Sequence, residues 1–444
     1  MVNKIKKDTL LTVVAEWIEE SEVPPLIPRQ CPDIGLEQLK RVLAIVGPRR
    51  AGKTYFMYQL IQSLLQSGRY TKQDILFVDF EDYRLGGFSN DDVEELFVAF
   101  HQVAGRYPRY LFFDEVQHLP DWNRVLRTLH NRRRFKIIVS GSNSKLLDRD
   151  IATELRGRYD GITMLPFSFR EYLGYRNISL RPASFHTAAR GKILAALEDY
   201  IRHGGFPEVI MARDTFERRR LLQNYFKTIF YRDILERHNI KAQYVLDALM
   251  NELLETYSGT FSINRFEKHL KNNGLPGSKR TISNYLQHLQ GAFFIIANDK
   301  FSFSPRLRIM NPKKVYLTDT GFAALGRSFA ENRGRLLENV VAIELFRRDM
   351  ERYYFKNKNE CDFIVKQGPR PTHVIQVCWE ITPHNEKREI AGLLEALKSL
   401  NLESGSILTF AQDEERETHG RRIPIRPVWK WLLNIDRSEV ADTQ

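Results

Sequence analysis

Eight consecutive residues, Gly47 to Thr54, combine glycine, lysine and threonine in the order G-x-x-x-x-G-K-T. In this spacing the glycines let backbone N–H groups surround a phosphate, the lysine reaches the outer phosphates and the threonine hydroxyl binds Mg²⁺. The segment follows an apolar run and precedes an amphipathic stretch that begins near Lys53, where such a loop must lie. We therefore expect ATP and Mg²⁺ as ligands. The expected nucleotide-binding residues are Gly47, Pro48, Arg49, Arg50, Ala51, Gly52, Lys53, Thr54 and Tyr55.

Two carboxylates end a later apolar run, Leu111-Phe112-Phe113-Asp114-Glu115. Parallel strands deliver such residues to the carboxyl edge of a sheet, where ligands of open α/β folds bind. We expect Asp114, together with Thr54, to hold Mg²⁺, and Glu115 to polarise the attacking water, with Lys53 as a further catalytic group. A solvated strand end is the plain alternative.

Polar residues also follow a fourth apolar run, at Ser140-Gly141-Ser142-Asn143. Ser142 or Asn143 is expected to orient the water or sense the γ-phosphate, with Asn143 as our choice, although a simple turn has the same composition. Downstream, Arg156 and Arg158 offer guanidinium groups that stabilise transition-state charge when supplied by a neighbouring subunit. Ordinary surface arginines are the competing interpretation.

Short apolar runs alternate with amphipathic stretches between residues 42 and 145, which indicates parallel strands with crossover helices. Strands are expected at 42–46, 75–79, 110–114 and 136–140. Residues 168–260 have the periodicity of helices, and the N-terminus reads as an amphipathic helix. The fold class is therefore α/β.

The 444 residues carry 67 Lys and Arg against 55 Asp and Glu, a formal net charge of +12, which makes DNA a reasonable partner. The longest apolar run is far shorter than the ~20 residues that span a bilayer, so no membrane association is expected. Three widely spaced cysteines support neither a disulfide framework nor a zinc site. These features favour a reducing, cytoplasmic location.

A helix, a glycine-containing turn and a polar helix follow one another between residues 261 and 289, which is the helix-turn-helix outline. The second helix and the basic segment after it are expected to contact DNA as a recognition helix and a wing. The same arrangement also serves as a packing module between domains. The expected DNA-binding residues are Lys279, Arg280, Ser283, Asn284, Arg306 and Arg308.

Several segments together resemble a family of bacterial and archaeal AAA-superfamily ATPases: GPRRAGKT, YLFFDEVQHLPDW, IIVSGSNSKLL, ELRGRYDGITMLPFSFREYL, GGFPEV, LTDTGF, LLENVVAIELFRR and NECDFIVKQG. The resemblance implies an N-terminal helix and P-loop AAA+ core over 1–170 and a helical lid or connector over 171–240. It further implies a winged helix over 241–325 and a restriction-endonuclease-like α/β domain over 326–444. The role of that family is mostly unknown.

The same resemblance places a nuclease site of the PD-(D/E)XK type in the last domain. Glu338 would lie on a helix, Asp362 at a strand start, and Gln376 and Cys378 on the next strand. The position of the motif lysine falls on Cys378, and position 376 lacks a carboxylate, so we expect a degenerate site without cleavage. For the site to cleave, the missing lysine would have to be replaced by Lys356, Lys358 or Lys366.

The sequence thus favours a cytoplasmic, Mg²⁺-dependent AAA+ ATPase coupled to DNA binding or remodelling, with translocation or branch migration among its conceivable tasks. If Arg156 or Arg158 acts across a subunit boundary, the active form is a homo-oligomer, conceivably a hexameric ring. One alternative resembles the STAND-type NTPase switches, which act through protein partners. Another is a defence nuclease whose cleavage is gated by ATP.

Overall fold

The computed structural model describes residues 7–32, 34–142, 159–180, 188–326, 332–418 and 420–435. The chain divides into two compact units, residues 1–164 and residues 165–444. The first unit is a parallel sheet flanked by helices, and the second combines a helical segment with a larger mixed sheet.

The sheet of the first unit has the order β2-β3-β4-β1-β5, with parallel pairing throughout. Its central strands are buried on both faces, which explains their continuous apolar runs. The four predicted strands are confirmed. The strands are β1 Val42–Val46, β2 Ile75–Asp79, β3 Tyr110–Asp114, β4 Lys136–Gly141 and β5 Tyr159–Thr163.

The helices of this unit are amphipathic and cover the sheet. The predicted N-terminal helix is confirmed, and the helix after the glycine-rich loop begins at Lys53 as expected. Its inner face, including Phe56, Met57 and Ile61, packs on Leu43 and Ile45 of β1. The helices are α1 Lys7–Ala15, α2 Lys53–Gln66, α3 Asp92–Ala104 and α4 Trp122–Asn131.

Helices dominate the first part of the second unit, as the periodicity between residues 168 and 260 predicts. Ser168 caps the first of them by accepting a hydrogen bond from the backbone N–H of Glu171. The helices are α5 Phe169–Tyr175, α6 Ala188–His203, α7 Pro207–Met211, α8 Thr215–Thr228 and α9 Gln243–Thr256.

A short strand, two helices and a strand pair come next. Ser278 explains why the second helix starts at Lys279, because its hydroxyl accepts a hydrogen bond from the N–H of Thr281 at 3.1 Å. A helix of six residues interrupts the predicted wing. The elements are β6 Gly259–Phe261, α10 Ile263–Asn272, α11 Lys279–Gly291, β7 Ile295–Lys300, α12 Pro305–Met310 and β8 Lys313–Leu317.

The remaining strands join β6, β7 and β8 in one sheet of order β13-β14-β12-β11-β10-β9-β7-β8-β6. The join is a short parallel pairing between β7 and β9, at Asp299 and Tyr353. Helix α14 packs its apolar face on β10 and β11. The last elements are α13 Arg333–Arg347, β9 Glu351–Lys356, β10 Glu360–Gln367, β11 Arg370–Val377, α14 Glu386–Leu400, β12 Gly405–Thr409, β13 Glu414–Thr418, β14 Arg421–Pro427 and α15 Val428–Leu432.

Candidate active site

The glycine-rich loop runs from the end of β1 to the start of α2. A Cβ atom on Gly47 would lie 2.0 Å from the carbonyl oxygen of Met164, so only glycine fits there. Gly52 has φ 92° directly before the helix, a left-handed conformation that glycine adopts without strain. The two glycines therefore shape a loop whose end meets the positive end of α2.

Lys53 lies inside this loop with 4% of its surface exposed. Its ammonium donates hydrogen bonds to the carbonyl oxygens of Gly47 at 3.3 Å and Pro48 at 3.2 Å. It also lies 3.3 Å from a carboxylate oxygen of Glu115. These contacts are long for hydrogen bonds of an ammonium group. A buried lysine in a loop of this shape is suited to bind the β- and γ-phosphates of a nucleotide.

Thr54 and Asp114 form the neighbouring half of the site. The Thr54 hydroxyl donates to Asp114 Oδ2 at 2.6 Å, and the Ser140 hydroxyl donates to Asp114 Oδ1. Burial raises the pKa of Asp114, against the opposing effect of these two hydrogen bonds. Hydroxyl and carboxylate oxygens are the ligands that Mg²⁺ prefers, so this pair fits the expected metal.

Glu115 has φ 45°, an uncommon backbone conformation for a residue with a side chain. Its N–H donates to the Ser140 hydroxyl at 3.0 Å, which fixes this conformation. Burial would raise the pKa of the Glu115 carboxyl, but Lys53 and the Gln117 amide outweigh that effect, so its pKa lies below the usual value. An ionised carboxylate is the form that polarises water.

Arg29 is a residue of this site that sequence reasoning missed. It is 6% exposed, and its guanidinium donates to the carbonyl oxygen of Ala51 at 2.6 Å. Its backbone exchanges two hydrogen bonds with the Gln59 amide on α2, at 2.7 and 3.1 Å. Arg29 thus connects the segment before β1 to the glycine-rich loop. No motif or spacing in the sequence marks it as a residue of the site.

Asp79 was also missed, although it ends β2 as Asp114 ends β3, and the two residues are paired in register. Desolvation raises the pKa of Asp79 to about 6, and the nearby charges of Asp114, Glu81 and Glu115 act in the same direction. The repeated strand ending in aspartate, ILFVD and YLFFD, is the signal that could have revealed it.

Other predicted residues of the site have varied surroundings. Arg49 forms an ion pair with Glu81 at 2.6 Å, and Tyr55 is exposed. Ser142 is buried, with its hydroxyl 3.4 Å from the Gln117 amide that also contacts Glu115. Arg50 is exposed, with φ 64°. The predicted Asn143, Arg156 and Arg158 lie outside the described residues.

The predicted DNA-contacting residues all belong to the second unit. Lys279, Arg280 and Asn284 are exposed on α11, and Ser283 is half-buried beside them. Arg306 is exposed on α12. Arg308 instead donates to the Tyr353 hydroxyl at 3.0 Å, which holds it against β9.

The four residues predicted for a degenerate nuclease site do come together, around a cavity of about 810 Å³. Gln376 joins two of its walls, because its carbonyl oxygen accepts from the Asp362 N–H and its amide donates to Glu389 at 2.7 Å. Burial raises the pKa of Cys378 to about 12, so this thiol is neutral and cannot replace an ammonium.

The buried lysine among those that line this cavity is Lys314 on β8, which sequence reasoning did not assign to the site. Its Nζ atom lies 2.8 Å from Glu338, 2.9 Å from Glu360 and 2.8 Å from Asp362. Burial and the neighbouring charge of Asp362 raise the pKa of Glu338, and the Lys314 ammonium and the Tyr316 hydroxyl oppose that shift. Of the proposed substitutes, Lys356 pairs with Glu360, whereas Lys366 pairs with Glu351.

Two features are absent from the ranges that the structure describes. No set of three or more His, Cys, Asp and Glu residues there is arranged to hold a metal ion. No helix in the same ranges combines the length and the apolar character needed to cross a membrane.

Comparison with known proteins gives two domain matches. Residues 39–173 match the family model described as AAA domain, which supports a P-loop AAA+ ATPase. Residues 194–331 match a domain of unknown function (DUF8612).

Two relatives match along nearly their whole length, and both are uncharacterized. A protein of Methanocaldococcus jannaschii is 32% identical over 440 residues, covering 96% of each chain. A protein of Haemophilus influenzae is 28% identical over 398 residues, covering 88% of this chain and 94% of its own.

A solved structure described as Drosophila ORC bound to AT-rich DNA and Cdc6 aligns with 72% of this chain and 92% of its own. The sequence identity is 10% and the TM-score 0.20, which is too low to inform the fold.

Proposed function

Because the chain belongs to the family of the uncharacterized Methanocaldococcus jannaschii protein and carries an AAA domain, we propose that it hydrolyses ATP with Mg²⁺. The observation that carries the proposal is the convergence of Lys53, Thr54, Asp114 and Glu115 on one sheet edge. In this proposal Lys53 binds the β- and γ-phosphates, while Thr54 and Asp114 hold Mg²⁺.

The remaining residues position the reacting groups. Glu115 accepts a hydrogen bond from the attacking water and orients it towards the γ-phosphate, since its lowered pKa keeps it ionised. Gln117 fixes the Glu115 carboxylate by donating to it. Bound Mg²⁺ would supply charge neutralisation on the phosphates.

We further propose that turnover is coupled to DNA, held by the α11 surface as a winged helix. The exposed Lys279 and Arg280 at the start of α11, together with the net charge of +12, support this proposal. The proposed form is a homo-oligomer in which Arg156 or Arg158 serves a neighbouring site. A reducing, cytoplasmic location suits the three free cysteines.

The cavity around Lys314 is proposed to belong to a nuclease-like domain that no longer cleaves. Cys378 stands where the motif lysine is expected, and Gln376 stands where a carboxylate is expected. In that case the domain serves to hold DNA or to join subunits.

The test is the rate of ATP hydrolysis by the full chain in Mg²⁺, alone and with single-stranded, duplex or four-way branched DNA. Lys53→Ala is the blank, because it removes the phosphate-binding ammonium. Stimulation by one DNA form supports the proposal and identifies that substrate. A slow rate that no DNA changes, with tight retention of nucleotide, would favour a regulatory switch acting through proteins. If Lys53→Ala hydrolysed ATP as fast as the natural chain, the assignment of the nucleotide-binding site around Lys53 would be wrong.

A further inference from the structure

Lys314 is a lysine in the interior of the second unit, with 2% of its surface exposed. It extends from β8, where its neighbour Val315 is also buried. An isolated ammonium at such a depth loses its hydration, a cost that only close counter-charges offset. Its surroundings must therefore supply negative charge at short range.

Three carboxylates supply that charge, from one helix and one strand. Glu338 comes from α13, and Glu360 and Asp362 come from β10, all within 2.9 Å of the Lys314 ammonium. The pairing of β10 with β9 shifts register between Cys361 and Ile364, and such a bulge redirects side chains. Asp362 lies within this bulge.

An ammonium group has three N–H donors and no acceptor. Three carboxylates at hydrogen-bond distance match the three donors one to one. In this arrangement Lys314 has no N–H left to orient a water or to bind a phosphate. Its contacts are those of a structural counter-ion rather than of a catalytic lysine.

The carboxylates are themselves fixed by further donors. The Tyr316 hydroxyl donates to Glu338 at 2.8 Å, and the Val377 N–H donates to the second oxygen of Asp362 at 2.9 Å. Lys356 donates to the second oxygen of Glu360 at 2.9 Å. The oxygen ligands thus surround one point, and the Lys314 ammonium occupies that point.

We propose that Lys314 is a built-in cation that occupies the place of a divalent metal ion in this cavity. The natural chain consequently binds no Mg²⁺ or Mn²⁺ here, and removal of the ammonium opens a site for such an ion. Carboxylate oxygens are the ligands that these hard cations select. A tethered ammonium competes well because its attachment gives it a high effective concentration.

The inference goes beyond the proposed function and does not depend on ATP turnover or DNA binding, because it rests on the contacts of one side chain. Its readout is metal binding, whereas that of the proposed function is ATP hydrolysis. Either can fail without the other.

The experiment compares Mn²⁺ binding to the natural chain and to Lys314→Met, both at full length and without nucleotide. Free Mn²⁺ is counted by electron paramagnetic resonance. We expect one additional bound ion per chain in Lys314→Met. Any ion held near Thr54 and Asp114 is common to both proteins and cancels in the difference.

Thermal unfolding gives a second readout. At a Mn²⁺ concentration about 100 times its Kd, mass action predicts that the Tm of Lys314→Met rises by roughly 3–5 °C. The matched control is Lys358→Met, which removes an exposed ammonium from the rim of the same cavity without touching the three carboxylates. It should resemble the natural chain in both measurements.

Adding Asp362→Asn to Lys314→Met should remove the extra ion, since it deletes a ligand. If Lys314→Met does not fold, Lys314→Met with Glu338→Gln lowers the negative charge and keeps two carboxylates for the metal. A folded variant without Lys314 that binds no more Mn²⁺ than the natural chain would overturn the inference. The inference would also be overturned if the natural chain bound a Mn²⁺ ion that the single variant Asp362→Asn no longer binds.

Discussion

At the scale of single residues, the chemistry of the first unit depends on the placement of Glu115. Its left-handed backbone is costly for a residue with a side chain, and strain of this kind concentrates where a side chain must be aimed. The hydrogen bond from its N–H to Ser140 ties Glu115 to the strand beside β3. The ion pair with Lys53 places the carboxylate beside the expected phosphates.

We predict that Glu115→Gln retains ATP binding and loses hydrolysis by about 10²–10⁴-fold, because the amide cannot accept a proton from water. Binding is measured with a fluorescent ATP analogue, and turnover by phosphate release. Glu94→Gln is the matched control, since Glu94 is an exposed carboxylate paired with Arg132. Turnover by Glu115→Gln at the natural rate would move the catalytic role to another residue.

At the scale of elements, two of the sequence segments that carry the family resemblance prove to form one packing contact. Gly204 follows α6, and the buried Asp319 precedes a 3₁₀ turn at Thr320–Leu325. The Asp319 carboxylate accepts from the N–H groups of Gly205 at 2.7 Å and Gly321 at 2.9 Å. Burial raises the pKa of Asp319 to about 6, despite these hydrogen bonds.

Substitution of Gly204 tests this contact. A Cβ atom there would lie 1.8 Å from a carboxylate oxygen of Asp319, at φ 79°. We predict that Gly204→Ala lowers the free energy of unfolding by about 2–5 kcal/mol, from backbone strain and overpacking together. Gly274→Ala is the matched control, with φ 71° and open space around the added Cβ. It should cost only the strain, about 1–2 kcal/mol, in urea denaturation. If the two variants lost the same free energy of unfolding, the Asp319 carboxylate would be able to move away from the added Cβ at no cost.

The elements also show what the sequence can and cannot predict. Strands β1 to β4 were predictable because burial on both faces requires continuous apolar runs. Strand β5, Tyr159–Thr163, was missed because YDGIT has no such run, although it pairs with β1. Lys314 was missed for another reason. Forty-eight residues separate it from Asp362, and only the tertiary fold brings their side chains together.

At the scale of the whole molecule, the two compact units carry different groups of candidate residues. The described residues of the nucleotide site belong to the first unit, and Lys279, Arg280 and the Lys314 cavity belong to the second. A DNA-coupled ATPase requires communication between such groups. The proposed coupling can therefore be tested only in the full chain, by a variant in one unit and a readout in the other.

We predict that Lys279→Ala with Arg280→Ala weakens DNA binding and lowers the DNA-stimulated rate of ATP hydrolysis towards the rate without DNA. If both side chains contact phosphates, the slope of log K against log salt becomes shallower by about 1.8, from 0.9 for each contact. Arg265→Ala with Lys268→Ala is the matched control, because it removes the same charge from exposed positions on α10. That control should keep both the slope and the stimulation. An equal loss in the two double variants would indicate that overall charge, rather than the start of α11, attracts the DNA. If neither double variant lost DNA binding or stimulation, α11 would not contact DNA and would serve only in packing.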